Sequence, residues 1–296
     1  MGQKRDEQQP RRHSSAQRAH GLRALAAKTW QRHAAPSAGP IDDSELVQVP
    51  PGMCLDSKEE VIEKVFDDFR SHIGKPRYFK ERVILAATNE VVNEANDELV
   101  RNMPGDLHTF TSVDTVGDLE NTTMFPTEFL NSLSLSGLPE HRLRLKKNAV
   151  VILLRNMNIK AGHCNGTRFL VKKIGKFRLV LQKLDAAPDD NNSILILPRI
   201  PMRSGGKSFP FELCRLQFPI KVAFALTINR AQGQSAKKCG ILLPKNVWTH
   251  GQIYVAFSRC GNPRNVFVWA EQSQLKDFNL DPSKRFVKNV VYREVV

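Results

Sequence analysis

Two stretches of this sequence combine residue types that could handle phosphate chemistry. In the first, the apolar run Ala223-Phe224-Ala225-Leu226 stops at Thr227-Ile228-Asn229-Arg230-Ala231-Gln232-Gly233-Gln234-Ser235, a segment of hydroxyl, amide and cationic groups around one glycine. Gly233 lets backbone N–H groups approach an anion closely. The same stretch also reads as a buried strand or helix followed by a solvated turn, and alone it does not choose. In the second, Thr249 and Gln252 have capping-box spacing, and the helix they open stops at Gly261. Gln252 and Arg259, seven positions apart, share a helical face with Val255 and Ala256 between them. An arginine ending such a helix is either a salt-bridging surface group or a cation that stabilises charge on a transferring phosphoryl group.

The composition frames both readings. Across 296 residues, 44 Lys and Arg against 30 Asp and Glu leave a formal net charge of +14. That balance favours polyanions, chiefly nucleic acid, through counterion release and long-range attraction. An anionic membrane is the rival, but no apolar run approaches the roughly 20 residues needed to span one. The five cysteines are scattered, with no C-x-x-C pair, and read as reduced thiols of an intracellular protein. No Cys/His spacing suits zinc, and His163 beside Cys164 reads as coincidence.

The elements that must position these groups alternate as in an α/β fold. Residues 1–40 form a basic tail, rich in Gln, Arg, Ala and Ser and expected to be disordered. It reads as a solvated tail, a nucleic-acid arm or a nuclear-import segment. Ser57 and Glu60 open a helix with Val61, Ile62, Val65, Phe66 and Phe69 on one face, closed by Gly74 and Pro76; Asp67 and Asp68 belong to its solvated side. Val83–Ala87 is a strand, broken by Thr88-Asn89, and the next helix carries Val91, Ala95, Leu99 and Met103, with Asn89 as its cap. Strand, polar turn, helix is the arrangement in which a loop at a strand's carboxyl end binds ligand. His108–Val116 is expected as a strand and Asn121–Leu138 as an irregular connection.

From Arg142 to Leu184 there are twelve Lys and Arg and no Asp or Glu. Short apolar runs (Ala149–Leu154, Phe169–Val171, Leu179–Leu181, Ile194–Leu197) alternate with Asn-Gly and Gly-Lys turns, the pattern of a small, basic, antiparallel sheet or barrel. Such a face suits nucleic-acid contact more than neutral surface. Gly205-Gly206-Lys207-Ser208 looks like the end of a Walker A loop, but Pro201 stands where its first glycine should be and Pro210 follows closely. It reads as a hairpin or linker loop. Cys239–Leu243 and Val266–Ala270 complete the strands, and everything beyond Glu271 reads as a peripheral tail.

Thr227–Ser235 followed by Thr249–Arg259 closely resembles motifs V and VI of superfamily 1B DNA helicases, in particular the petite-integration-frequency (Pif-one-like) group and its Helitron-encoded members. Val83–Asn89 matches motif IV, and Phe125–Asn131, Leu153–Asn158, Cys164–Arg168 and Gln217–Ile220 also fit, so the resemblance covers about Val47 to Ala270. It implies the end of a first domain or a linker and then the first part of a second RecA-like domain (41–141), an inserted Src-homology-3-like barrel (142–218), the remainder of the RecA-like domain (219–275) and a tail (276–296). The implied activity is ATP-driven 5′-to-3′ movement on single-stranded DNA, in repair, recombination, telomere maintenance or Helitron transposition, in the nucleus or the mitochondrion. By position, Arg259 would be catalytic, contacting the γ-phosphate; Gln232, Gly233 and Gln234 would join it at ATP; and Thr88, Asn89, Asn165, Arg168, Thr227, Asn229 and Arg230 would hold DNA. Ala87 replaces the family's usual Pro and Phe257 its usual Leu. The first RecA-like domain, with the Walker groups that hold Mg²⁺ and the β- and γ-phosphates, is not in this sequence. The chain is therefore expected to need a separate amino-terminal helicase domain for hydrolysis, or to work as a non-enzymatic nucleic-acid-binding module.

Overall fold

Four apolar runs are too uniformly hydrophobic to present a wet face, and they become one parallel sheet buried on both sides. Its strands lie in the spatial order Ala225–Thr227, Arg82–Ala86, Lys238–Leu243, Val266–Ala270, all parallel. The computed structural model describes residues 46–116, 125–187, 190, 192–204, 211–272, 281 and 284–290. The basic tail and Gly205–Ser208 lie outside the described residues.

Helix Asn89–Asn102 packs on the first two strands and helix Lys58–Val65 on the other two. The second of these begins as expected: Ser57 Oγ accepts the Glu60 N–H at 3.1 Å, and Glu60 returns to the Asp56 N–H at 3.2 Å. It seats closely because position 240 is glycine, where a Cβ would come within 2.7 Å of Val61 and 2.9 Å of Val65. The helix ends at Val65, well before Gly74; Asp68 turns left-handed (φ 52°), and a separate helix runs from Pro76 to Lys80. Phe66 and Phe69 instead join Phe79 and Phe224 in a ring cluster with centroids 5.7–6.5 Å apart.

The basic region is antiparallel. Five strands pair in the order Ile220–Val222, Val150–Leu153, Arg168–Ile174, Arg178–Lys183, Ile194–Pro198. Ile200–Arg203, Leu213–Gln217 and Val113–Val116 form a second sheet, and His108–Thr111 pairs with Arg142–Leu145. His108–Val116 is thus two strands, broken at Ser112 and divided between two sheets, and both join the antiparallel part upstream of Arg142. The connection after it contains a helix, Thr127–Ser132. The chain's end is not peripheral either: Arg285–Lys288 pairs antiparallel with Leu46–Val49 and buries Val287.

Two buried polar groups bolt these layers together. Asn96 donates to Val222 O and Ala225 O and accepts from Ala225 N, fixing the long helix to the chain as it re-enters the parallel sheet. Arg215 forms a two-pronged pair with Asp114, at 2.9 and 2.7 Å, inside the antiparallel part.

Candidate functional site

Parallel strands place the loops after their carboxyl ends side by side. Thr227 lies opposite Ala86, so Thr88 and Asn89 emerge beside Thr227, Asn229 and Arg230. Thr88, not Asn89, caps the helix: its Oγ1 accepts the Val91 N–H at 3.4 Å, and Asn89 stands exposed as the first helical residue. Asn229 is exposed at the start of the short helical turn Asn229–Ala231.

A groove of about 920 Å³ opens between helices Asn89–Asn102 and Thr127–Ser132. Asn93, Asp97, Glu128, Asn131, His141 and Lys221 line it. Burial pushes the Lys221 ammonium below its ordinary range, Glu140 opposes this, and the positive charge of Arg230 adds to it. His141 is likewise lowered, by burial first, against the pull of Asp114. No local sequence signal marks this groove, because its walls come from segments more than a hundred residues apart.

The remaining candidates gather at the opposite, amino-terminal edge of the sheet. The loop from Asn229 crosses to Ala236, whose N–H donates to Arg259 O at 2.9 Å before the chain enters Lys238–Leu243. Gly233 takes φ 83° in open space, so it serves the turn and leaves its backbone exposed. The Arg259 guanidinium is folded back onto this loop: Nη1 donates to Gln234 O (3.1 Å) and Ala231 O (3.4 Å), Nη2 to Ser258 Oγ (2.7 Å), and Nε to Val255 O (2.8 Å). Gln234 Nε2 reaches Gly166 O at 3.5 Å, which brings the turn holding exposed Asn165 alongside. Gln232 is exposed on the same loop.

Two expectations are corrected here. Arg168 is not a surface cation: it is buried, its Nη1 and Nη2 donate to Arg82 O (3.2 and 3.3 Å) and Nη2 to Ala223 O (3.0 Å), and burial pulls it down to about 10. Its strand buries Arg168 through Val171 in succession, so a count of charges along the sequence misplaces it. Nor do Thr249 and Gln252 form a capping box. Gly251, at φ 69°, precedes a helix of only six residues, Gln252–Phe257, and the Gln252 amide is buried with neither Oε1 nor Nε2 paired. Arg259 therefore lies two positions past the helix.

The sheet thus has two polar edges: hydroxyl, amide and cationic groups at the carboxyl end, and an arginine with amides at the amino end. Among the described residues no group of His, Cys, Asp and Glu is placed to hold a metal ion, and no helix is long and apolar enough to cross a membrane.

A mixed α/β unit of this kind, a parallel sheet interrupted by an antiparallel part, has counterparts among known proteins. Residues 128–174 match the family model described as DNA helicase Pif1, 2B domain. The ATP-dependent DNA helicase PIF1 of Rattus norvegicus is 26% identical over 232 residues, 76% of this chain and 32% of that protein. The ATP-dependent DNA helicase Pif1 of Campylobacter jejuni is 25% identical over 238 residues, 77% of this chain and 47% of that protein. The crystal structure of Pif1 helicase from Candida albicans aligns with a TM-score of 0.50 at 20% identity, covering 94% of this chain and 56% of that one. The similarity is thus to Pif1-type DNA helicases, with the 2B-domain model confined to residues 128–174. This chain spans about a third to a half of the length of those two curated relatives.

Proposed function

We propose that this chain is the carboxyl-terminal part of an ATP-dependent 5′-to-3′ DNA helicase, comprising the second RecA-like domain and an inserted Src-homology-3-like barrel. The observation that carries the reading is the division of one parallel sheet into two edges. Thr88, Asn89, Thr227, Asn229 and Arg230 supply hydroxyl, amide and cationic groups for a DNA backbone. Gln232, Gln234 and Arg259 supply one wall of a nucleotide cleft, where positive charge and amide donors suit a γ-phosphate. A separate amino-terminal helicase domain would supply the other wall, including the groups for Mg²⁺ and the β-phosphate, so this chain alone is inactive in ATP hydrolysis. The Helitron-like spelling of its motifs favours a transposon-type helicase acting in the nucleus. The basic sheet supports the same polyanionic partner.

The test is complementation. The purified chain should show no DNA-stimulated ATPase; mixed with an amino-terminal half containing a Walker A loop it should gain one, and Arg259→Ala should abolish that gain, by about 10³-fold or more as for other arginine fingers. ATPase from the chain alone overturns its dependence on the missing half. Single-stranded DNA binding without any ATPase in the mixture would leave a non-enzymatic binding module.

A further inference from the structure

The hairpin between strands Arg168–Ile174 and Arg178–Lys183 ends in an exposed aromatic and cationic tip. Ile174 pairs with Leu179, and the Gly175 N–H donates to Arg178 O at 3.0 Å, so Lys176 and Phe177 are the two turn residues. Two-residue hairpin turns ordinarily use Asn, Asp or Gly, whose backbones accept the turn geometry. Here neither Lys176 nor Phe177 takes a positive φ, so the turn does not demand those residues and leaves both side chains free to project. Phe177 is 74% exposed, the most exposed large apolar residue among those described.

The tip is also strongly cationic. Lys173, Lys176 and Arg178 are exposed, and none of them makes an ion pair within the described residues. Elsewhere Arg82, Arg144, Arg203, Arg215 and Lys238 each meet a carboxylate. Lys176 Nζ lies 5.3 Å from the Phe177 ring centroid, a cation–π distance that leaves ring surface for a second partner. The register shift between Val171 and Lys173 marks a bulge, which bends and twists a strand and re-aims what lies beyond it.

An apolar protein surface would gain from Phe177 but would have to desolvate three cations. A nucleic acid satisfies both features at once, because a base stacks on the ring while neighbouring phosphates meet the charges. We propose that this hairpin tip is a base-stacking contact for single-stranded DNA, with Phe177 as the platform and Lys173, Lys176 and Arg178 as phosphate partners. It rests on the nucleic-acid-binding reading above and adds a contact on the barrel, separate from either edge of the parallel sheet.

The test titrates the full chain with oligonucleotides carrying 2-aminopurine, read by anisotropy and by quenching, over a series of salt concentrations. Phe177→Ala should weaken binding by roughly five- to a hundred-fold and remove much of the quenching, while leaving the salt slope unchanged. Phe177→Trp should keep the affinity, with its own emission quenched by DNA. Lys176→Ala should keep the quenching and flatten the slope of log K against log salt by about 0.7. Phe177 is too exposed to stabilise the fold, so circular dichroism and thermal unfolding should not distinguish its variants from the parent. If the parent binds DNA but Phe177→Ala stays within about twofold of it, the stacking contact is refuted and the general reading stands. If the parent binds no single-stranded DNA, both fall together.

Discussion

Replacing Arg215 by methionine would release the wall of the groove. The Arg215 side chain is fully buried, and its guanidinium makes five hydrogen bonds: to Asp114 Oδ1 (2.9 Å) and Oδ2 (2.7 Å), and to the carbonyls of Leu133 (3.1 Å), Pro139 (3.0 Å) and Leu130 (3.0 Å). A guanidinium has five N–H groups, so this set is complete. The three carbonyls belong to the segment that carries Glu128, Asn131 and Ser132 into the groove. Methionine fills similar volume but leaves the buried Asp114 carboxylate with the Ser112 hydroxyl at 2.6 Å and His141 at 3.8 Å. Removing one partner of a buried pair costs about 3–5 kcal/mol. At about 2–4 °C per kcal/mol for a chain of this size, Tm should fall by roughly 6–20 °C. Asp114→Leu strands the cation instead and should cost a similar amount. The double variant has no buried charge left and should cost less than the sum of the singles by about 2 kcal/mol or more. Urea unfolding followed by circular dichroism gives the four stabilities, and limited proteolysis between residues 125 and 139 reports whether that wall has come loose. A cost below about 1 kcal/mol for Arg215→Met, or singles that simply add, would refute the account of this pair as the clamp.

Two further outcomes follow from single side chains. The Gln252 amide is buried without a partner at either polar atom, and such a group costs about 1–3 kcal/mol; Gln252→Leu should therefore raise Tm by a few degrees, and a lowered Tm would show that the amide is satisfied. Acid should unfold the chain partly through Asp67 and Glu81. Partial burial works against ionisation of Asp67, but the hydrogen bonds from Lys238 (2.6 Å) and Arg82 (3.2 Å) outweigh it and hold the carboxyl below its ordinary range. Glu81 is lowered chiefly by its hydrogen bond with Lys237. Because both folded values lie below the unfolded ones, the stabilisation is complete above about pH 4 and is lost as pH falls through the folded values. An Asp67→Asn, Glu81→Gln variant should lose stability less steeply below about pH 4, and a slope equal to the parent's would dismiss these carboxylates as the acid-sensitive groups.

Where a signal was local, the sequence carried it. The strands of the parallel sheet are uniform apolar runs, and the start of helix Lys58–Val65 is a cap made within four residues. Its end was not legible, because Val61, Ile62, Val65, Phe66 and Phe69 keep helical spacing past the true stop. Phe66 and Phe69 are apolar because tertiary contact packs them, the first buried and the second half-buried, against Phe224, more than 150 residues away. The strand Leu213–Gln217 alternates with period two, but both of its faces carry leucine, so nothing in LCRLQ says that Arg215 and Gln217 point inward. Arg168 failed for a related reason: its partners are backbone carbonyls, which have no signature in a sequence. The groove was invisible for the strongest reason, that it exists only once three distant segments meet.

The same geometry changes what a substitution of Arg259 can mean. As it stands, the guanidinium ties the carbonyls of Ala231 and Gln234, and these belong to the loop that begins at Asn229 and Arg230 on the other edge of the sheet. On the proposed function, an arginine that turned toward a γ-phosphate would exchange those carbonyls for phosphate oxygens and free the loop that bears Asn229 and Arg230. Nucleotide contact at one edge would then be coupled to strand contact at the other through one side chain and five residues of backbone. If the complemented chain loses ATPase in Arg259→Ala as proposed, that loss would have two sources, a missing charge and a loosened loop, and DNA affinity separates them. If only the charge matters, single-stranded DNA binding without nucleotide stays unchanged. If the loop is also released, that affinity shifts in the absence of any nucleotide.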